Sequence, residues 1–200
     1  MGEVELSLQH ESNAHEFRPS IVAIIGPPLT GKSTLARSLS TISNFTPLDV
    51  DVARQEIFPI SKRDMVLPGE QEVFAMLNSY QRNHEKARDL LNTGKPVVLV
   101  ATYSRQIYHD MLRQLESKFN VPLKVILLSC SDEEIKRRID QRSRSGDFSN
   151  VKTLDHYKNT KDRYQRINGV NILEVNTEQP LEECLKVIQN FVRDLGVEQQ

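Results

Sequence analysis

From Gly26 to Thr34 the chain reads Gly26-Pro27-Pro28-Leu29-Thr30-Gly31-Lys32-Ser33-Thr34, residue types and a spacing that suit the binding of a nucleoside triphosphate. Phosphate oxygens must be approached by backbone N–H groups, and a Cβ would obstruct that approach. Gly26 and Gly31 supply the room and the unusual dihedrals. A helix opening at Lys32 points its positive dipole end at the anion. The Lys32 ammonium is placed to neutralise the β and γ phosphates, and the Ser33 hydroxyl to serve Mg²⁺. Thr34 falls beside the phosphates too. The expected ligands are therefore ATP and Mg²⁺.

The elements around this loop are those that would position it. Ile21 to Ile25 is a short, β-branched apolar run, as expected for a strand buried on both faces of a parallel sheet. Lys32 to Ser40 is expected to be helical, and a short strand is expected near Phe45 to Leu48. Residues 59–69, with two prolines and Gly69, read as loop. From Glu70, Val73, Leu77, Tyr80, Ala87 and Leu91 recur at helical spacing, with Gly94 where a C-terminal glycine belongs. Phe74 and Met76 are expected in the core. Val97–Ala101 and Leu123–Leu128 read as buried strands separated by a helix carrying Ile107, Met111, Leu112, Leu115 and Phe119. Ser131-Asp132-Glu133-Glu134 predicts a capping box at the head of the next helix. Residues 143–153 read as mobile and 154–167 as helical; Asn171–Val175 is a last strand, and Pro180 opens a last helix. Strands alternating with helices predict α/β architecture: one three-layer domain over residues 19–200, a five-stranded, mostly parallel sheet with helices on both faces, and residues 1–18 as a loose tail.

Composition narrows the function classes. Two hundred residues suffice for one domain with a real core. A net charge of −1 argues against a broad nucleic-acid-binding surface. No apolar run is long enough to span a bilayer, and the first eighteen residues lack a signal-peptide layout, so a cytoplasmic protein is expected. Cys130 and Cys184 are the only cysteines and are expected as reduced thiols. The guanine-reading Asn-Lys-x-Asp of a GTPase is absent, and Val97–Ala101 ends without the carboxylates of a motor-type ATPase.

Taken in order, four segments give the chain a resemblance to the small P-loop kinases of the polynucleotide kinase and zeta-toxin-like type, over roughly residues 20–176. They are the loop Gly26–Thr34, the run Asp49-Val50-Asp51-Val52-Ala53-Arg54, the strand and turn Val97 to Arg105, and Glu134 to Arg142. The resemblance implies a kinase passing the γ-phosphoryl of Mg-ATP to a hydroxyl or phosphate acceptor, either a small molecule or a nucleotide or nucleic acid. It implies Asp51 as general base, with Asp49 a competitor for that role, and Arg54 holding an acceptor phosphate or carboxylate. It implies an Arg-rich lid over 143–153, with Arg138 and Arg142 closing on the γ-phosphate. Arg105 would add positive charge near the acceptor. One departure stands out: many relatives place an aspartate at the end of the third strand, where this chain has Val100. Ser33, with Asp49 or Asp51 in the outer shell, would then hold Mg²⁺. Val100 also sustains an alternative, a nucleotide-binding switch with little transfer. A nucleoside monophosphate kinase, with Arg54 on the monophosphate, is a variant of the first reading. His10, His15, His84, His109 and His156 have no catalytic context, and Tyr157 to Tyr164 reads as a half-buried helix with a charged outer face.

Overall fold

The computed structural model describes residues 18–58, 70–145 and 153–195. The expected tail up to residue 17, the 59–69 loop and residues 146–152 of the expected lid lie outside them. Five strands, β1 (Ile21–Ile25), β2 (Thr46–Asp49), β3 (Val97–Val100), β4 (Leu123–Ser129) and β5 (Asn171–Asn176), form one sheet in the order β2-β3-β1-β4-β5. Every pairing is parallel. The helices are α1 (Lys32–Thr41), α2 (Val50–Ile57), α3 (Glu70–Asn92), α4 (Gln106–Phe119), α5 (Asp132–Ser145), α6 (Leu154–Asp162) and α7 (Leu181–Val192).

The central strand explains the layering. All five residues of β1 are fully buried. Ile21, Ala23 and Ile25 join a core with Tyr80 and Leu91 of α3 and Leu112 and Leu115 of α4. Val22 and Ile24 face the other way, into a core with Leu35 and Leu39 of α1 and Ile188 and Val192 of α7. A strand buried on both faces has no need of a polar alternation, which is why it reads as a continuous apolar run.

Several expectations shift at element edges. α6 stops at Asp162 rather than 167. The capping box is half formed: Ser131 Oγ accepts from the Glu134 N–H at 3.2 Å, but the Ser131 N–H donates to Glu178 Oε1 at 2.6 Å. Glu134 is drawn instead to Arg137 and Arg138. Phe74 is 63% exposed and Val73 is exposed as well, while Met76 packs against the core. Gly94 ends α3 at a φ of 78°. Both cysteines are free thiols. Among the described residues, no helix is long and apolar enough to cross a membrane.

Gly26, directly after β1, has a φ of 135°. A Cβ there would stand 2.5 Å from the Leu128 carbonyl oxygen. The glycine is thus demanded by close approach to β4 as well as by its dihedral. Gly26→Ala is expected to lower stability by roughly 2 kcal/mol or more, combining overpacking with backbone strain. A urea titration measures this; an unchanged midpoint would show that β4 gives way at no cost.

Candidate active site

The loop between β1 and α1 holds three residues at positive φ: Gly26, Leu29 at 67° and Gly31 at 87°. An L residue disfavours that region, so Leu29 must be held there. Its side chain is buried against Ile135 and Tyr157, and its carbonyl accepts from Arg138 Nη1 at 2.9 Å. Thr30 Oγ1 donates to Pro27 O at 2.9 Å across the loop. Lys32 Nζ donates to the carbonyls of Gly26, at 3.0 Å, and Pro27, at 2.7 Å. Burial brings its ammonium pKa down to about 8, against the opposing pull of Asp51 and Asp49. Gly31 is the N-cap of α1, so the helix dipole opens into the loop.

Beyond the loop stand the two aspartates. Ser33 Oγ donates to Asp49 Oδ2 at 2.6 Å, and Asp49 Oδ1 accepts from the Asp51 N–H at 2.9 Å as N-cap of α2. Asp49 is in register with Val100 on the neighbouring strand. A carboxylate thus stands one strand over from Val100, at the same level of the sheet. A hydroxyl and a carboxylate side by side at the loop suit a hard cation that takes most of its ligands from phosphate and water. No cluster of three or more His, Cys, Asp or Glu side chains among the described residues offers a fuller cage. Asp51 follows in the first turn of α2, open to solvent. Surrounding protein and the neighbouring Asp49 raise its carboxyl, while Lys32, Arg54 and Arg142 act the other way.

The arginines divide. Arg138 is committed to structure: besides Leu29 O, it donates to Thr177 O at 2.7 Å, Thr177 Oγ1 at 3.2 Å and Glu134 Oε1 at 2.7 Å. It ties the loop to the turn after β5. The hydrogen bond from Arg137, joined by those from Arg138, holds the Glu134 carboxyl down to about 2. Arg142, one turn on, lies close enough to influence both Lys32 and Asp51. Arg54 sits neither on a solvated helix face nor open to the cleft; it is buried and paired with Glu72. Arg105 is exposed at the start of α4. A cavity of about 360 Å³ opens between Leu29, Gly31, Thr34, Arg138, Thr177 and Leu181. That volume falls within the range of ligand pockets, about 300–1,000 Å³. His109 and His84 are buried: they meet the Tyr103 carbonyl and hydroxyl at 2.7 and 3.0 Å and fix the turn after β3.

A family model described as an AAA domain, AAA_33, matches residues 21–167. The chain belongs to this AAA domain family. The chain is 27% identical over 184 residues to a shikimate kinase of Clostridium botulinum (strain Okra / Type B1), covering 88% of this chain and 98% of that one. A gluconokinase structure from Sinorhizobium meliloti 1021 superposes with a TM-score of 0.66 at 18% identity, over 90% of this chain and 95% of the other. The APS kinase of Mycobacterium tuberculosis, in complex with AMPPNP and APS, does so with a TM-score of 0.61 at 16% identity, over 88% and 98%. The fold is that of the P-loop kinases.

Glu72 and Thr177 carry roles in this AAA domain that no local motif announces, since each meets its arginine across the fold. For Lys32, the physical consequence can be measured. A triphosphate stabilises the ammonium, so binding between about pH 8 and the ordinary lysine range should take up a proton, and affinity should fall as pH rises above 8. Calorimetry at pH 8.5 in buffers of different ionisation enthalpy reads the uptake directly; none, with ordinary affinity, would mean the lysine is already charged in the free protein. Lys32→Ala should abolish both uptake and binding.

Proposed function

We propose that the chain is an ATP-dependent phosphotransferase acting on a hydroxyl acceptor. The observation that carries this is the line Lys32, Ser33–Asp49, Asp51 along the carboxyl end of a parallel sheet, which is where ligands bind in this architecture. The loop amides and Lys32 hold the triphosphate, and the 360 Å³ cavity takes the nucleoside. Ser33 and Asp49 would hold Mg²⁺, which when bound supplies positive charge to the β and γ oxygens.

Asp51 accepts the proton of the acceptor hydroxyl. The acceptor oxygen forms a bond to the γ phosphorus as the bond to the bridging oxygen breaks, and that electron pair leaves with ADP. A carboxyl raised by its surroundings and by Asp49 is a better proton acceptor than an unperturbed one. Arg142 is the lid arginine assigned to the γ-phosphate, and Arg138 is a positioning residue for the loop. The relatives named as kinases support this reading. The alternative of a degenerate switch rested on Val100; Asp49 beside it in register supports the transferase reading. The finer assignment to the polynucleotide kinase and zeta-toxin-like branch rests on the order of the four segments, from the loop Gly26–Thr34 to Glu134–Arg142. ATP as donor and two free thiols fit a cytoplasmic site of action.

The test is transfer of label from γ-labelled ATP to a panel of 5′-hydroxyl oligonucleotides, nucleosides, monophosphates and small polyols. Asp51→Asn is expected to lower transfer about 10²–10⁴-fold, the usual worth of a positioned base, with ATP affinity nearly intact. Full transfer by that variant would remove Asp51 from the role.

A further inference from the structure

Beyond the carboxyl end of β3 the chain turns at Tyr103, whose φ is 48°, and opens α4 at Arg105. The segment after α6 is laid across this opening by two hydrogen bonds. The Gln165 N–H donates to the Ser104 carbonyl at 2.9 Å, and the Gln106 N–H donates to Gln165 Oε1 at 2.6 Å. Between the two segments lies a cavity of about 610 Å³, whose lining includes Arg105, Ile107, Asp162, Arg163 and Tyr164. Its size suits a small ligand.

The two arginines of this cavity differ from others in the chain. Arg54 is paired with Glu72, Arg137 and Arg138 with Glu134, and Arg166 with Glu174. Arg105 and Arg163 enter no ion pair and donate no side-chain hydrogen bond among the described residues. Both are exposed, so each guanidinium keeps its fork of N–H donors for a group arriving from solvent. Tyr164 adds a separate observation: its hydroxyl is buried and has no hydrogen-bond partner. A buried hydroxyl left unmatched is uncommon and calls for a ligand or water to complete it. The dipole of α4 acts in the same sense, since Arg105 is its N-cap and supplies no side-chain cap. Asp162 brings a carboxylate to the lining; it acts on Lys161 and pairs with neither arginine.

We propose that this cavity binds an anionic group, a carboxylate or a phosphate ester, held by the guanidinium forks of Arg105 and Arg163 with the Tyr164 hydroxyl as a further donor. An oxyanion offers several acceptor oxygens to planar forks of this kind, which a neutral hydroxyl compound does not match. The site is distinct from the Gly26–Thr34 loop, because its donors come from the head of α4 and the segment after α6. The anion belongs either to the acceptor or to a second small ligand. The anion site stands without the phosphotransferase reading; only its assignment to the acceptor rests on that reading.

The probe is inorganic phosphate. Isotope-labelled protein is first loaded with Mg²⁺ and a non-hydrolysable ATP analogue, which fills the loop, and is then titrated at fixed ionic strength while N–H resonances are followed. Phosphate is expected to shift residues 104–107 and 162–165 to saturation, and glycerol to leave them in place. A protein carrying both Arg105→Gln and Arg163→Gln should bind phosphate roughly tenfold more weakly, the combined scale of two exposed ion pairs. Asp162→Asn should bind it more tightly, and added salt should weaken it. Shifts confined to the loop, no shifts, or equal affinity in the folded double variant overturn the proposal. Label transfer from ATP to a polyol and to its phosphate ester or acid then identifies the source. A KM raised more for the anionic member in the double variant assigns the anion to the acceptor; equal effects on both members assign it to a second ligand. Transfer to neither, with phosphate still binding at 104–107, overturns the phosphotransferase reading and leaves the anion site standing.

Discussion

A lysine ammonium enclosed by its own backbone loop must find oxygen, and much of this site follows from that requirement. Lys32 takes the carbonyls of Gly26 and Pro27, which fixes the loop at both ends of its first turn. Loss of hydration still depresses its pKa to about 8. Asp51 and Asp49 counter this from a distance and do not pair with it directly, because Asp49 is engaged by Ser33 and by the Asp51 amide. The lysine is thereby left for a partner that brings several oxygens at once. A triphosphate is such a partner, and the helix dipole behind Gly31 acts in the same sense.

The loop must also hold its shape, and there the stabilising contacts come from far away in the chain. Leu29 at positive φ is secured by Arg138, whose remaining donors go to Thr177 and Glu134. An arginine with its fork occupied in this way holds a strained carbonyl in place at little further entropic cost. Arg142 lies one helical turn further on, in electrostatic reach of Lys32 and Asp51. Spacing four apart predicted a common face for the two arginines, but Arg138 is taken up by the loop and the turn after β5.

The parts legible in the sequence were those decided by neighbours in the chain. The glycine loop, the apolar strands, the length of α3 and its glycine stop depend on local sterics and periodicity. Where partners are distant, local reading had no signal. Arg54 was assigned to an acceptor phosphate or carboxylate, yet Glu72, eighteen positions on, pairs with its guanidinium. Glu134 was assigned to a cap, but two arginines outcompeted the Ser131 amide. Phe74 looked like core by residue type, and α3 turns it outward. The departure at Val100 came from reading one strand alone, where the presence of Asp49 in register on β2 has no signal.

That register also sets two carboxylates close together: Asp49 ends β2, and Asp51 follows two residues on in the first turn of α2. Burial, and then the neighbouring Asp49, raise the Asp51 carboxyl. Asp49 is anchored by the Ser33 hydroxyl and the Asp51 amide. A stretch of three residues at the end of β2 thus gives two neighbouring carboxylates different surroundings.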